Sequence, residues 1–357
     1  MTTSYDHQLD TLFTRFNFHF TKSEINKVVS NTARSKPDFK SNVISVIGTN
    51  QNLKDKVNEL GLLALQLDTR QVEVFNIADS SVQGFLDVLF KNVSLTKEKL
   101  INDAFPFPIE DINNLSKLAT GKVYPVLSDT VTVDQDVYNR LVVSTVVDKE
   151  IEQAVPASHL SSTGHAQQNA NTTYTMKIKV RTQLFHVVYW CPALSRLILS
   201  IDRNTQSLTA SQDQLFVLRQ FLMGKNVDCG TAVNVFGAID PLYIAPDGYI
   251  TKIGHVTTDG NPVRIPLKGK QKCLKQDNYH KTGEDGGYVH AKFAISKKWE
   301  FAQAGTTRVV DVEVGLAGHP KLLDNSRPLS DFSVNKPKRL EDFDFAIGKV
   351  LSNIPSV

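Results

Sequence analysis

The stretch Met176-Lys177-Ile178-Lys179-Val180-Arg181-Thr182-Gln183 alternates apolar and polar residues one by one. A period of two marks a β-strand with one buried and one wetted face. Before about residue 153 the prevailing spacing is helical instead. From Asn50, whose side chain suits an N-cap, Leu53, Val57, Leu60, Ala64 and Leu67 fall at 3.6-residue intervals. Val82, Phe85, Leu86, Leu89 and Phe90 give residues 81–91 one apolar face. A third helix over 95–103 halts at Phe105-Pro106-Phe107-Pro108, because proline cannot continue a helix and restricts the residue before it. Residues 109–119 read as a shorter helix.

Three pieces of this half are less regular. Phe16, Phe18 and Phe20 alternate with Asn17 and His19 as in a strand, while Leu12 and Phe13 also fit a short helix starting near Asp6. Residues 31–42 are polar, hold Pro37 and read as a loop. Residues 131–147 are rich in β-branched side chains yet also fit a helical repeat.

Residues 153–176 contain no Lys, Arg, Asp or Glu, and the polar run 161–171 has nothing to bury. The chain therefore reads as a mainly helical domain over 1–152, an uncharged linker or exposed loop over 153–175, and an antiparallel β-rich domain over 176–357. The alternative is a long loop inserted within one domain. Past the boundary, Cys191-Pro192-Ala193 reads as a turn into a return strand over 196–201, and a helix runs from Ser211 to Gly224. Pro246-Asp247-Gly248, Asp259-Gly260-Asn261 and Asp285-Gly286-Gly287 then recur as turns, the pattern of successive β-hairpins. Residues 308–316 form another strand. Leu340, Phe343, Ile347, Val350 and Leu351, just past Pro337, make a terminal amphipathic helix. The expected fold class is α+β, with a mainly helical N-terminal part, a mainly antiparallel β C-terminal part and that final helix. A sandwich, a barrel or a sheet with one packed helix all fit.

The totals are those of an ordinary globular chain: 357 residues, 41% hydrophobic, 22% charged, net charge +3. Cys191, Cys229 and Cys273 are far apart and form no CxxC pair, which argues against a disulfide framework or zinc knuckle. The polar start, residues 1–10, has no apolar core of a signal peptide, and no run approaches the ~18 apolar residues of a membrane helix. The expectation is a cytoplasmic protein, or one in a particle assembled in the cytoplasm, with no membrane partner.

The sequence has no GxGxxG, P-loop, GxSxG or HExxH motif, and no metal or cofactor is expected. One string carries some chemistry. Tyr288-Val289-His290-Ala291-Lys292-Phe293-Ala294-Ile295-Ser296, followed by Trp299 and Gly305-Thr306-Thr307, resembles half of the phospholipase D signature. The resemblance implies that His290 attacks phosphorus while Lys292 holds the phosphoryl oxygens. The family's Asp five residues past the lysine is Lys297 here, and its downstream Gly-Ser and Asn are Gly305-Thr306 and Arg308. A second His-x-Lys, His319-Pro320-Lys321, has a proline where a strand residue belongs. The plainer account is a hairpin strand with Val289, Ala291, Phe293 and Ile295 in the core and His290 and Lys292 wet.

Charge gives a second signal. Residues 264–298 hold Arg264, Lys268, Lys270, Lys272, Lys275, Lys281, Lys292, Lys297 and Lys298 against Asp277, Glu284 and Asp285, a local +6 in a chain of +3. Lys177, Lys179 and Arg181 add cations at a two-residue strand spacing of ~6.5–7 Å, close to the phosphate spacing of a single strand. Tyr279, Tyr288 and Trp299 are available for base stacking. A solvated face is the commoner role of such residues, and a contact with an acidic neighbour is a further one.

With no catalytic constellation and no cofactor motif, the expected role is a non-enzymatic structural or assembly subunit of a large multi-protein complex. A viral or phage particle component is its concrete form, and other protein subunits are its partners. The alternatives are a single-strand nucleic-acid-binding subunit using Lys177, Lys179, Arg181, Arg264, Lys268, Lys270, Lys272 and Lys275, and a phosphodiesterase using His290 and Lys292.

Overall fold

Arg70-Gln71-Val72-Glu73-Val74-Phe75-Asn76 is apolar at its alternate positions and short, and six of its seven residues are buried. In the computed structural model this run is β1 (Arg70–Asn76), the strand around which the molecule is built. The structure describes residues 3–155, 157–159, 174–204, 206–269, 271–302, 309–324 and 327–355. The other strands are β2 (Val123–Val133), β3 (Asp136–Ala154), β4 (Thr175–Cys191), β5 (Arg196–Asp202), β6 (Tyr249–Thr257), β7 (Pro262–Pro266), β8 (Val289–Ala302), β9 (Val309–Leu316) and β10 (Asp331–Asn335). All ten form one antiparallel sheet in the order β2-β3-β4-β5-β1-β10-β9-β8-β6-β7.

Eleven helices among the described residues complete the α+β fold. They are α1 (Tyr5–Phe16), α2 (Phe18–Ile25), α3 (Lys36–Ile47), α4 (Gln51–Leu67), α5 (Ser80–Asn92), α6 (Lys99–Ala104), α7 (Ile112–Leu115), α8 (Leu208–Met223), α9 (Ile239–Ile244), α10 (Asn278–Asp285) and α11 (Leu340–Ser352). The N-terminal part is helical and the C-terminal part mostly strand. Helices α1 to α4, α9 and α11 cover one face of the sheet, with Leu12, Phe16, Val57, Leu60 and Ile347 in that core. Helices α5 and α8 cover the other, where Leu86, Leu215, Leu218 and Leu222 meet Phe75, Val188, Trp190 and Leu199.

The uncharged stretch 153–175 begins and ends in paired strands. β3 and β4 are direct neighbours in register from Asn139↔Trp190 to Ala154↔Thr175, so the segment joins the two arms of a hairpin within one sheet. Residues 160–173, the polar run at its centre, lie outside the described residues. β1, from the helical half, stands between β5 and β10 of the other half.

Several local expectations give way to capping and turn chemistry. Phe16, Phe18 and Phe20 are not a strand. Asn17 takes φ 76° between α1 and α2, its side chain accepts from Phe20 N, and Phe16 and Phe20 end 5.1 Å apart on one aromatic cluster. The loop expected over 31–42 contains the start of α3, because Pro37 sits in its first turn, where no N–H is needed, and Ser35 caps it. Residues 131–147 resolve as the β2–β3 hairpin. Of the three turn strings only Asp259-Gly260-Asn261 joins paired strands, β6 and β7. Pro246-Asp247-Gly248 leads from α9 into β6, and Asp285-Gly286-Gly287 closes α10. Helix α8 starts at Leu208, capped by Ser207 rather than Ser211.

A buried polar network fastens the helical layer to the sheet. Arg70 is fully buried and donates to Ser200 Oγ (2.9 Å), Leu65 O (2.8 Å), Phe185 O (3.1 Å) and Ser200 O (2.6 Å). Arg15 of α1 reaches Asp202 Oδ2 at 2.8 Å. Buried charges are tolerated when paired in this way.

Candidate functional site

The outer half of the β3–β4 hairpin has no fully buried residue. β2 leaves β3 at Thr145, and β5 joins β4 only from Val187. Among the described residues, no other strand joins the two between Lys149↔Val180 and Ala154↔Thr175, a run of six pairs. At ~3.4 Å per residue that is an arm of about 20 Å. An isolated two-stranded ribbon is marginal in water, so its two faces decide what it can do.

Residues directly opposite in an antiparallel pair share a face. On one face Asp148, Glu150 and Glu152 of β3 stand opposite Arg181, Lys179 and Lys177 of β4. Arg181 Nε lies 3.0 Å from Asp148 Oδ1, and its Nη1 donates to Ser116 O (2.7 Å) and Leu118 O (3.3 Å). The cationic stripe read in β4 is thus one rail of a ladder whose other rail is acidic. On the opposite face Ile151 faces Ile178, Lys149 faces Val180 and Gln153 faces Met176. Ile151, Ile178, Val180 and Met176 are each half-buried. By strand alternation this face continues the side of the sheet that carries α8, where Phe216 is 62% exposed.

The basic segment 264–298 is spread over several elements, and most of its charge is committed within the chain. Arg264 donates to Gly318 O (2.6 Å) and stacks 5.0 Å over Phe293. Lys272 lies 3.3 Å from Glu300 and over the Tyr249 ring. Lys275 and Lys292 both sit 4.4 Å from the centre of Tyr243, and Lys292 is 3.7 Å from Asp240. Lys298 lies between Glu300 and Asp311. Lys268 is exposed, and Lys270 lies outside the described residues.

His290 is exposed, while Lys292 pairs opposite His255 and is half-buried. The register of β8 against β6 shifts three times, and two of the shifts leave Phe293 and His290 as extra residues on β8. Lys297, in the place of the phospholipase D acid, is fully buried and donates to Leu242 O (2.8 Å), Ala245 O (2.9 Å) and Asp247 Oδ1 (3.1 Å). Gly305, Thr306 and Arg308 lie outside the described residues.

What surrounds Lys292 is a group that sequence spacing did not reveal. Tyr243 O–H and His280 Nε2 are 2.9 Å apart, and the His255 and His280 rings are 6.4 Å apart beside a cavity of about 240 Å³. Burial, the largest influence, holds both imidazoles below the usual histidine range. These three residues lie on β6, α9 and α10, 12 and 25 positions apart, and only the fold brings them together. Among the described residues no group of three or more His, Cys, Asp or Glu could hold a metal ion, and no helix is long and apolar enough to cross a membrane.

No protein-family model matches this chain, and no curated protein matches it.

Proposed function

We propose that this chain is a structural subunit that assembles with further copies of itself through the β3–β4 arm, as in the shell of a viral or phage particle. The observation that supports this is the half-buried apolar face of Ile151, Ile178, Val180 and Met176 on a ribbon with no third strand among the described residues. Two such faces laid together bury each other as a small sandwich, and a two-fold contact uses the same patch on both subunits. The charged face is compatible with the same partner. Its three acids and three cations are matched within each arm, and Lys149 at the base of the apolar face is the one unmatched charge among the described residues of the arm.

The internal pairing of the basic residues gives the nucleic-acid reading less free charge than the sequence promised, and the hold of Tyr243 and Asp240 on Lys292 gives the phosphodiesterase reading less support. The test is mass by light scattering during size exclusion, at low and high salt, with the ratio of absorbance at 260 and 280 nm. The expected result is an oligomer free of nucleic acid that persists in high salt, because apolar contacts are not screened. A double variant, Ile151→Glu with Ile178→Lys, keeps opposite charges across the ribbon and removes its apolar face. It is expected to be a folded monomer. A wild-type chain that stays monomeric at its highest soluble concentration overturns the proposal. Nucleic acid that co-elutes and is shed in high salt moves the function to the basic segment.

A further inference from the structure

A cavity of about 440 Å³ lies between α2, α4, the outer ends of β8 and β9, and the start of α11. Its apolar wall is made by Phe20, Leu60, Leu63, Phe301 and Leu340. Lys338, just before α11, also lines it and is only 8% exposed. Its ammonium sits 5.2 Å from the centre of the Phe16 ring and 5.8 Å from that of Phe20. Among the described residues no oxygen accepts a hydrogen bond from its Nζ and no carboxylate lies within 4.0 Å of it.

Of the acids at or next to the cavity wall, Glu24, Glu59 and Asp342 are already paired. Glu24 lies 2.6 Å from Lys27 and 3.3 Å from Lys56, Lys56 is 2.9 Å from Glu59, and Asp342 is held by Arg339 at 2.7 Å. Glu341 is exposed at the rim. Asp68 and Asp311 attract it from a greater distance, yet a largely buried ammonium whose nearest partners are aromatic faces lacks the direct hydrogen-bond-accepting anion that buried charges otherwise have. The volume falls within the usual range of small-molecule sites, as does an apolar lining with one oriented polar group.

We infer that this cavity binds a small monocarboxylate with an apolar body, its carboxylate accepting a hydrogen bond from Lys338 Nζ and its body lying against Phe20, Leu63 and Phe301. The site is separate from the arm and does not depend on the assembly reading. Burial, which holds the Lys338 ammonium below the usual lysine range, is relieved when an anion arrives.

The experiment is titration of the full chain with 1-naphthoate and with octanoate by calorimetry, alongside the neutral 1-naphthamide. At least one carboxylate is expected to bind, and Lys338→Met is expected to weaken it by about 10-fold or more, as for a charge-assisted bond in a largely buried site. Naphthamide is expected to bind weakly and equally to both proteins. In case the variant does not fold, the wild type is labelled with acetic anhydride and its peptides are weighed. The bound carboxylate should slow acetylation at Lys338 and leave other lysines unchanged. Absence of carboxylate binding in the wild type, binding unaffected by Lys338→Met, or labelling of Lys338 that the carboxylate does not slow each overturns the inference.

Discussion

His186 lies fully within the β4 core, where Asp202 N donates to its Nδ1 (3.2 Å) and its Nε2 lies 2.9 Å from Thr145 Oγ1. A proton on Nδ1 would set an N–H against an N–H. Burial first, and Arg70 next, lower its pKa to about 4 from the ordinary 6.5. The unfolded chain then takes up a proton near pH 6.5 that the folded chain refuses until about pH 4. Stability should fall through that window as pH drops, by up to about 3 kcal/mol. Urea unfolding of wild type and His186→Gln across pH 4–7 checks this: the slope should be shallower in the variant, and equal slopes would refute it. Asp202 also costs stability as pH falls, but for a different reason. Burial works against its ionisation, but Arg15 and Arg70 outweigh it and hold the carboxyl below its ordinary range. Its contribution is present at neutral pH and is lost only as pH falls below about 4. Asp202→Asn removes the nearer of the two carboxylates that face buried Arg15, and the main anion acting on Arg70, and should destabilise the fold by about 3–5 kcal/mol, read from the unfolding midpoint at pH 7.

At the scale of elements, the arm is held by cross-strand pairs. Lys179→Glu would place like charges opposite each other at Glu150, loosening the ribbon by about 0.5–1 kcal/mol while leaving the core untouched. Amide exchange should quicken in residues 149–154 and 175–180 alone, and adding Glu150→Lys should restore it. The same arm shows what sequence reading reaches. Alternation over 176–183 marked β4 correctly, and 3.6-residue spacing marked α4, α5 and α11, because each buries one face and period alone records that. The acidic rail went unnoticed because Asp148, Glu150 and Glu152 lie some 30 positions from their partners, and register is not written in either strand by itself. Asn17 and Pro37 misled for the opposite reason: their role is local, but a single cap changes the element on both sides. His255, His280 and Tyr243 carry no spacing signal, and Lys338 could be singled out only once the helices around it were placed.

For the molecule as a whole, the hairpin through residues 153–175 and the placement of β1 tie both halves into one sheet. Scanning calorimetry on dilute protein should therefore give one unfolding transition. Two well-separated transitions would mean that the halves before residue 153 and after residue 175 unfold as independent domains.

β1 also sets a clock. Its neighbour β5 lies about 130 residues downstream, and β10, its other neighbour, about 260. During synthesis at roughly 5–20 residues per second, Val72, Val74 and Phe75 wait on the order of ten seconds for a first partner, and about twice that for a second. Throughout that interval a strand that is buried at six of its seven residues in the finished protein is unpaired on a ribosome-bound chain. Its safe arrival depends on what shields it there.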